Sequence, residues 1–235
     1  MNAVLSKISS IKKTLFAVLI DPDKYNKDVI LKSNEVADFF LVGGSTLKNG
    51  QLTVCLNKIK KITKLPVIVF PGNTNQLSKN SDATLLLSLV SGRNPEYLIN
   101  KHVEVALQLK KLKQEIIPTA YLLLGEENIS TTQKVTNTKP ISFKDVRQIV
   151  STVIASEMLG MKLIYLEAGS GAKKAVPSSI IKAVKRNCSL PVFVGGGIDN
   201  AKKYMEVKNS GADVIVIGNA LEKNLSLIDD IKLVK

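Results

Sequence analysis

The chain has 235 residues, 45% of them apolar, which suffices for one large core and falls short of two linked domains. Its 33 lysines and arginines against 20 acidic residues give a formal net charge of +13, which favours anionic partners without choosing among nucleic acid, lipid surface and phosphorylated substrate. The longest apolar runs, Thr14 to Ile20 and Val214 to Ile217, fall far short of the roughly 20 residues of a membrane span, and no aromatic-rich basic strand or helix-turn-helix pattern supports nucleic-acid reading.

The basic, then apolar N-terminus runs into Asp21 and Asp23 without a small-residue cleavage site, so it reads as leading into the first strand of a cytoplasmic protein. Short, continuously apolar runs place eight strands: Leu15 to Ile20, Phe39 to Val42, Pro66 to Phe70, Thr84 to Leu89, Ile116 to Leu123, Leu163 to Leu166, Pro191 to Val194 and Val214 to Ile217. Strands without polar alternation are covered on both faces, as in a parallel sheet. Amphipathic stretches between them predict helices at Asn26 to Ser33, Leu52 to Ile62, Pro95 to Leu112, Ser142 to Leu159, Pro177 to Arg186, Asn200 to Ser210 and Ala220 to Ile231, with Pro177 and Asp199 as helix-start signals. Between the third and fourth strands, GNTNQLSKNSD lacks helical periodicity. The pattern predicts a (β/α)8 TIM barrel, one domain over residues 1–235, with an irregular segment in place of the helix after the third strand and one open flank. The longest loop, residues 125–140, is rich in Ser, Thr and Asn and is expected as a mobile excursion on the face where lids sit.

Cys55 and Cys188 lack CxxC spacing and read as inert thiols. The single histidine, His102, lies in a helical pattern and reads as a surface or helix-packing residue, with no triad around it. Three glycine clusters follow the last three strands: YLEAGSGA (Tyr165 to Ala172), VGGGI (Val194 to Ile198) and VIGNAL (Val216 to Leu221). Glycine lets backbone N–H groups approach a ligand, and following helices would aim their N-termini at the same spot, so the three clusters predict a phosphate nest. After the first two strands, LIDPDK and VGGST offer hard oxygen donors suited to Mg²⁺ on a diphosphate, but taken in isolation they read first as turn and cap chemistry. Glu167 lies two residues beyond Tyr165, so both side chains share one strand face and point at the same pocket, where a carboxylate can take a proton from a substrate hydroxyl.

The ordered set LIDPDK, VGGST, VFPGN, YLEAGSGA, VGGGI and GADVIVIGNALE resembles the geranylgeranylglyceryl phosphate synthase family, including its PcrB-like bacterial members, over nearly the whole chain. The resemblance implies a Mg²⁺-dependent prenyltransferase of lipid biosynthesis that joins the 3-hydroxyl of sn-glycerol 1-phosphate to a polyprenyl diphosphate, geranylgeranyl by the family's name, and releases diphosphate. Carried over by position, Asp21 and Ser45 are the metal ligands. Tyr165, Leu166, Glu167, Ala168, Gly169, Ser170 and Gly171 wrap the glycerol phosphate, Gly196, Gly197, Gly218 and Asn219 complete the phosphate nest, and Glu167 with Tyr165 handles the reacting hydroxyl. Where some relatives carry a lysine two residues before the first aspartate, this chain has Leu19, leaving Lys24 as the nearby cation. The open flank then serves as an apolar groove for the prenyl chain, each buried CH₂ contributing ~0.8 kcal/mol. The family also implies a homo-oligomer, dimer or hexamer, and the basic exterior suits peripheral contact with anionic membrane. Two other readings compete: another phosphate-binding barrel, such as a phosphosugar isomerase or synthase, and a non-catalytic polyanion-binding protein.

Overall fold

The computed structural model describes residues 4–48, 51–125 and 131–235. Eight parallel strands follow one another around a closed barrel: β1 (Leu15–Ile20), β2 (Phe39–Val42), β3 (Val67–Val69), β4 (Ala83–Leu89), β5 (Glu115–Leu123), β6 (Leu163–Glu167), β7 (Val192–Gly195) and β8 (Val214–Ile217). The barrel closes by pairing of β1 with β8, in the register Leu15 to Val214 through Val18 to Ile217. Alternate residues of each strand face opposite ways. Leu15, Phe39, Leu41, Tyr165 and Phe193 fill the barrel interior, while Phe16, Phe40, Leu166 and Val194 pack outward under the helices. Two apolar surfaces per strand explain the unbroken apolar runs.

The outer layer comprises α2 (Lys27–Ser33), α3 (Leu52–Lys60), α4 (Lys101–Leu112), α5 (Thr131–Thr136), α6 (Val146–Met158), α7 (Ser178–Asn187), α8 (Ala201–Asn209), α9 (Asn219–Lys223) and α10 (Leu227–Val234), and α1 (Val4–Ser10) precedes β1. Several predicted bounds shift for local reasons. The first turn of the segment expected from Pro95 is a π-helical stretch, Glu96–Asn100, running into α4. The helix expected from Ser142 starts at Val146, because Asp145 caps it by accepting from the Gln148 N–H at 2.9 Å. Likewise Asn200, not Asp199, caps α8 through the Lys203 N–H. The single C-terminal helix is split into α9 and α10 by an Asn224 turn, whose side-chain oxygen accepts from the Ser226 N–H and hydroxyl.

Helix α1 was not predicted. Its Ile8 joins the interior cluster, with Val4 and Leu5 packed against it, and the Val4 and Leu5 N–H groups donate to the Glu115 carboxylate at the start of β5. The helix therefore plugs the N-terminal end of the barrel. Of the long loop after β5, residues 126–130 lie outside the described residues. Its remainder forms α5, and Ile141 bridges to Leu124, so this connection carries a helix where a plain loop was expected.

Between β3 and β4 the described chain carries no helix, as predicted. The gap is held by Gln76, which is completely buried. Its amide oxygen accepts from the Gly72 N–H at 3.2 Å and the Gly44 N–H at 3.4 Å, and its amide nitrogen donates to the Gly44 carbonyl at 2.8 Å. One side chain thus laces the loops after β2 and β3 together. Replacing it with leucine strands three partly buried backbone groups, and Gln76→Leu should lower stability by about 2 kcal/mol. Urea unfolding monitored by circular dichroism checks this; an unchanged midpoint would mean the loops hold without the amide.

Candidate active site

The C-terminal mouth of the barrel contains two joined polar cavities and an apolar groove. The first cavity is lined by Leu19, Tyr165, Glu167, Ser170, Gly171, Gly196, Gly197, Gly218, Asn219 and Lys223, among others. The structure thus brings most of the predicted phosphate residues together. It leaves out Leu166 and Ala168, whose side chains turn outward into the layer under the helices, since strand residues alternating with Tyr165 and Glu167 must face the other way. Gly169 acts from behind, donating its N–H to Glu167 Oε1 at 2.7 Å. Of the helices following the three glycine loops, α9 begins at the cavity and the residue before the α8 cap, Asp199, lines it, whereas α7 starts further along the chain. Lys223, on α9, is a cation at this cavity that the sequence did not single out.

Glycine is required here by space as well as backbone angle. A Cβ on Gly195 would stand 2.5 Å from the Tyr165 hydroxyl, and one on Gly196, at φ +82°, 2.4 Å from Glu167 Oε1. A Cβ on Gly197, at φ +71°, would stand 2.2 Å from the Lys174 carbonyl oxygen. The loop after β7 therefore lies directly against the end of β6.

Glu167 is 7% exposed. Burial raises its carboxyl to about 7, against hydrogen bonds from the Gly169 N–H and Tyr165 that pull it down. Burial and the neighbouring Glu167 charge keep the Tyr165 and Tyr121 phenols well above their ordinary range, hence neutral. A carboxylate that titrates near neutrality can accept a proton during a reaction.

The second cavity holds Asp21 and Ser45 together with Lys24, Gly43, Gly44, Thr46 and Glu222, and shares Leu19, Glu167, Ser170, Gly218 and Asn219 with the first. Asp21 also caps the short 3₁₀ turn Pro22–Lys24, accepting from the Asp23 N–H at 3.0 Å, so cap and ligand roles are open to the same carboxylate. Lys24 lies 3.1 Å from Glu222 and 3.4 Å from Asn219 Oδ1, and Asn219 donates to Ser170 at 2.7 Å. Among the described residues, no three His, Cys, Asp or Glu side chains form a metal cage. One carboxylate with a hydroxyl fits Mg²⁺ that takes its remaining ligands from substrate phosphates and water.

The apolar groove runs from this mouth across the open flank, lined by Phe70, Leu87, Tyr97, Val105, Leu109, Tyr121 and Val135. The Tyr97 hydroxyl donates to the Val135 carbonyl at 3.0 Å, tying the π-helical turn before α4 to α5 across it. His102 lines the groove and its Nε2 lies 2.8 Å from the Leu87 carbonyl, in keeping with a packing role. Cys55 and Cys188 are buried and free, and burial pushes Cys55 up to about 12.

Residues 9–235 match the PcrB family. The geranylgeranylglyceryl phosphate synthase of Zunongwangia profunda is 47% identical over 226 residues, spanning 94% of this chain and 96% of that protein. The one from Pyrococcus furiosus is 38% identical over 217 residues, spanning 90% and 86%. Among solved structures, (S)-3-O-geranylgeranylglyceryl phosphate synthase from Thermoplasma acidophilum, in complex with sn-glycerol-1-phosphate, superposes with a TM-score of 0.89 at 30% identity, covering 98% of this chain and 96% of that one. A thiamine phosphate pyrophosphorylase from Pyrococcus furiosus, at 15% identity and TM-score 0.60, shares the fold alone.

The close glycine approach makes a direct test. Gly196→Ala forces a left-handed backbone on alanine and drives its methyl into Glu167, and should destabilise the fold by about 2–3 kcal/mol while weakening any binding of inorganic phosphate in the adjoining cavity. Thermal denaturation and titration calorimetry read the two effects.

Proposed function

The chain belongs to the PcrB family, and from that premise we propose that it transfers a polyprenyl group, geranylgeranyl in the first instance, from its diphosphate to the 3-hydroxyl of sn-glycerol 1-phosphate. The observation carrying this reading is the juxtaposition of a glycine-lined polar cavity and a long apolar groove at one barrel mouth, with Glu167 bordering both polar cavities. A small phosphorylated substrate of an isomerase would leave the groove without a purpose. Lipid transfer uses both compartments.

In this scheme the backbone of Gly196, Gly197 and Gly218, with Ser170, Asn219 and Lys223, holds the acceptor phosphate. That fixes the glycerol end beside Glu167, which orients the 3-hydroxyl and takes its proton as the ether forms. Asp21 and Ser45 would hold Mg²⁺, which when bound neutralises charge on the donor diphosphate. The groove excludes water from the allylic end of the donor by packing against its chain. Positioning and charge complementarity, more than covalent chemistry by the protein, lower the barrier.

Self-association and peripheral membrane contact belong to the same proposal. Exposed Ile99, Val103 and Leu107 recur at one-turn spacing along the π-helical turn and α4, supporting the former, and the net charge of +13 supports the latter. No described helix is long and apolar enough to cross a membrane.

The deciding assay incubates sn-glycerol 1-phosphate and Mg²⁺ with farnesyl, geranylgeranyl and heptaprenyl diphosphates and extracts lipid product. Phosphate binding without turnover by any donor would instead favour a different phosphate-binding barrel. Glu167→Gln should lower kcat by roughly 10²-fold or more and remove a limb of kcat/KM that rises with pH through about 7. The same shift has a stability consequence. Because the folded carboxyl is raised from its ordinary 4.5 to about 7, the linked stability is full below about 4.5 and is lost as pH rises through about 7. Above pH 7, Glu167→Gln should therefore be more stable than the parent, on the order of 1–3 kcal/mol. Asp21→Asn should raise the Mg²⁺ concentration for half-maximal rate at least roughly tenfold.

A further inference from the structure

We infer that the rings of Phe70 and Tyr121 stabilise the positive charge that develops on the donor's allylic carbons during transfer. The assignment rests on the prenyl-transfer reading above and adds to it two residues which that reading leaves as groove wall.

Both side chains line the apolar groove and also the cavity of Asp21, Ser45 and Glu167, so they stand at the seam between the two. Phe70 lies with its ring centroid 5.9 Å from Tyr121 and 5.2 Å from Tyr165, and the two tyrosines are 5.3 Å apart. Three aromatic rings thus cluster where a donor threaded from groove to polar cavity must place its reacting end. The backbone of Phe70 is held fast: a Cβ on Gly43 would stand 1.8 Å from its carbonyl oxygen, so the ends of β2 and β3 touch there without intervening side chains. Tyr121 is 7% exposed and hydrogen-bonded with Thr132. Aliphatic side chains would solvate a hydrocarbon tail equally well. What rings add is a negative face that attracts a cation, most strongly where water is excluded.

The reaction creates such a charge. The bond between the donor's allylic carbon and its diphosphate oxygen breaks with both electrons leaving on diphosphate. The glycerol 3-oxygen supplies the pair for the new carbon–oxygen bond, and its proton passes to Glu167. Between departure and attack, positive charge spreads over the allylic unit at the seam.

The experiment replaces Phe70 with mono-, di- and trifluorophenylalanine, which keep the ring while draining its negative face. Single-turnover transfer rate, donor KM and melting temperature are measured for each. The expected result is a stepwise fall in rate, roughly 10-fold across the series, with donor KM and melting temperature near the parent's. Tyr121→Phe should keep most of the rate and Tyr121→Leu should lose it. A flat rate across the fluorinated series, in protein that turns over, overturns the assignment and leaves Phe70 as groove wall. A parent protein that transfers no prenyl group from any donor takes the transfer reading and this assignment down together.

Discussion

A carboxylate buried at the end of a barrel strand is tolerable only if nearly every neighbour accommodates it, and the arrangement around Glu167 shows what that demands. One oxygen accepts from the Gly169 N–H, and Tyr165 supplies a second hydrogen bond from two residues earlier on the same strand face. The loop after β7 then closes over the pair so tightly that neither Gly195 nor Gly196 has room for a Cβ. The glycine run VGGGI is therefore set by the carboxylate as much as by a ligand. The same close packing brings bare backbone to the wall of the cavity beside it, where the proposed scheme places a phosphate.

The opposite flank follows from a different constraint. A barrel strand without an outer helix leaves its connecting backbone in need of partners, and Gln76 supplies them from inside the irregular segment. With the loops after β2 and β3 pinned by one buried amide, space beside β4 is left for a groove walled by α4 and α5. Polar chemistry over the last three strands and apolar volume beside the third and fourth then meet at Phe70 and Tyr121. The division suits a substrate pair of which one is a small phosphate ester and the other mostly hydrocarbon.

The strands were legible in the sequence because both of their faces are apolar and their ends are marked by glycine, proline or aspartate; β1, β2 and β8 fall where the apolar runs place them. Glu167 and Tyr165 were legible because strand parity alone puts them together, and the same parity, applied to Leu166 and Ala168, turns those two away from the cavity. Helix α1 was hidden because seven residues with three apolar positions carry too little periodicity, and its partner, Glu115, is 111 residues from Val4. Gln76 was invisible for the same reason: a buried glutamine is defined by what it reaches in space, not by its neighbours in sequence. Lys223 escaped notice among the chain's many lysines, most of which decorate helices.

On the proposed reading, the raised carboxyl and an anionic substrate interact. A phosphate held beside Glu167 pushes its proton affinity higher still, making ionisation harder when the site is filled. A cation held at Asp21 would work in the other direction. Yet a strong base in advance of reaction is not required. A glycerol hydroxyl becomes acidic only as its oxygen bonds to the electron-poor allylic carbon, so proton transfer to a carboxylate titrating near neutrality is favourable at that late stage and unfavourable before it. In the proposed scheme the site would keep the acceptor un-ionised while it waits and remove its proton once the new bond is forming, which is the order of events that an enzyme activating the donor, rather than the acceptor, requires.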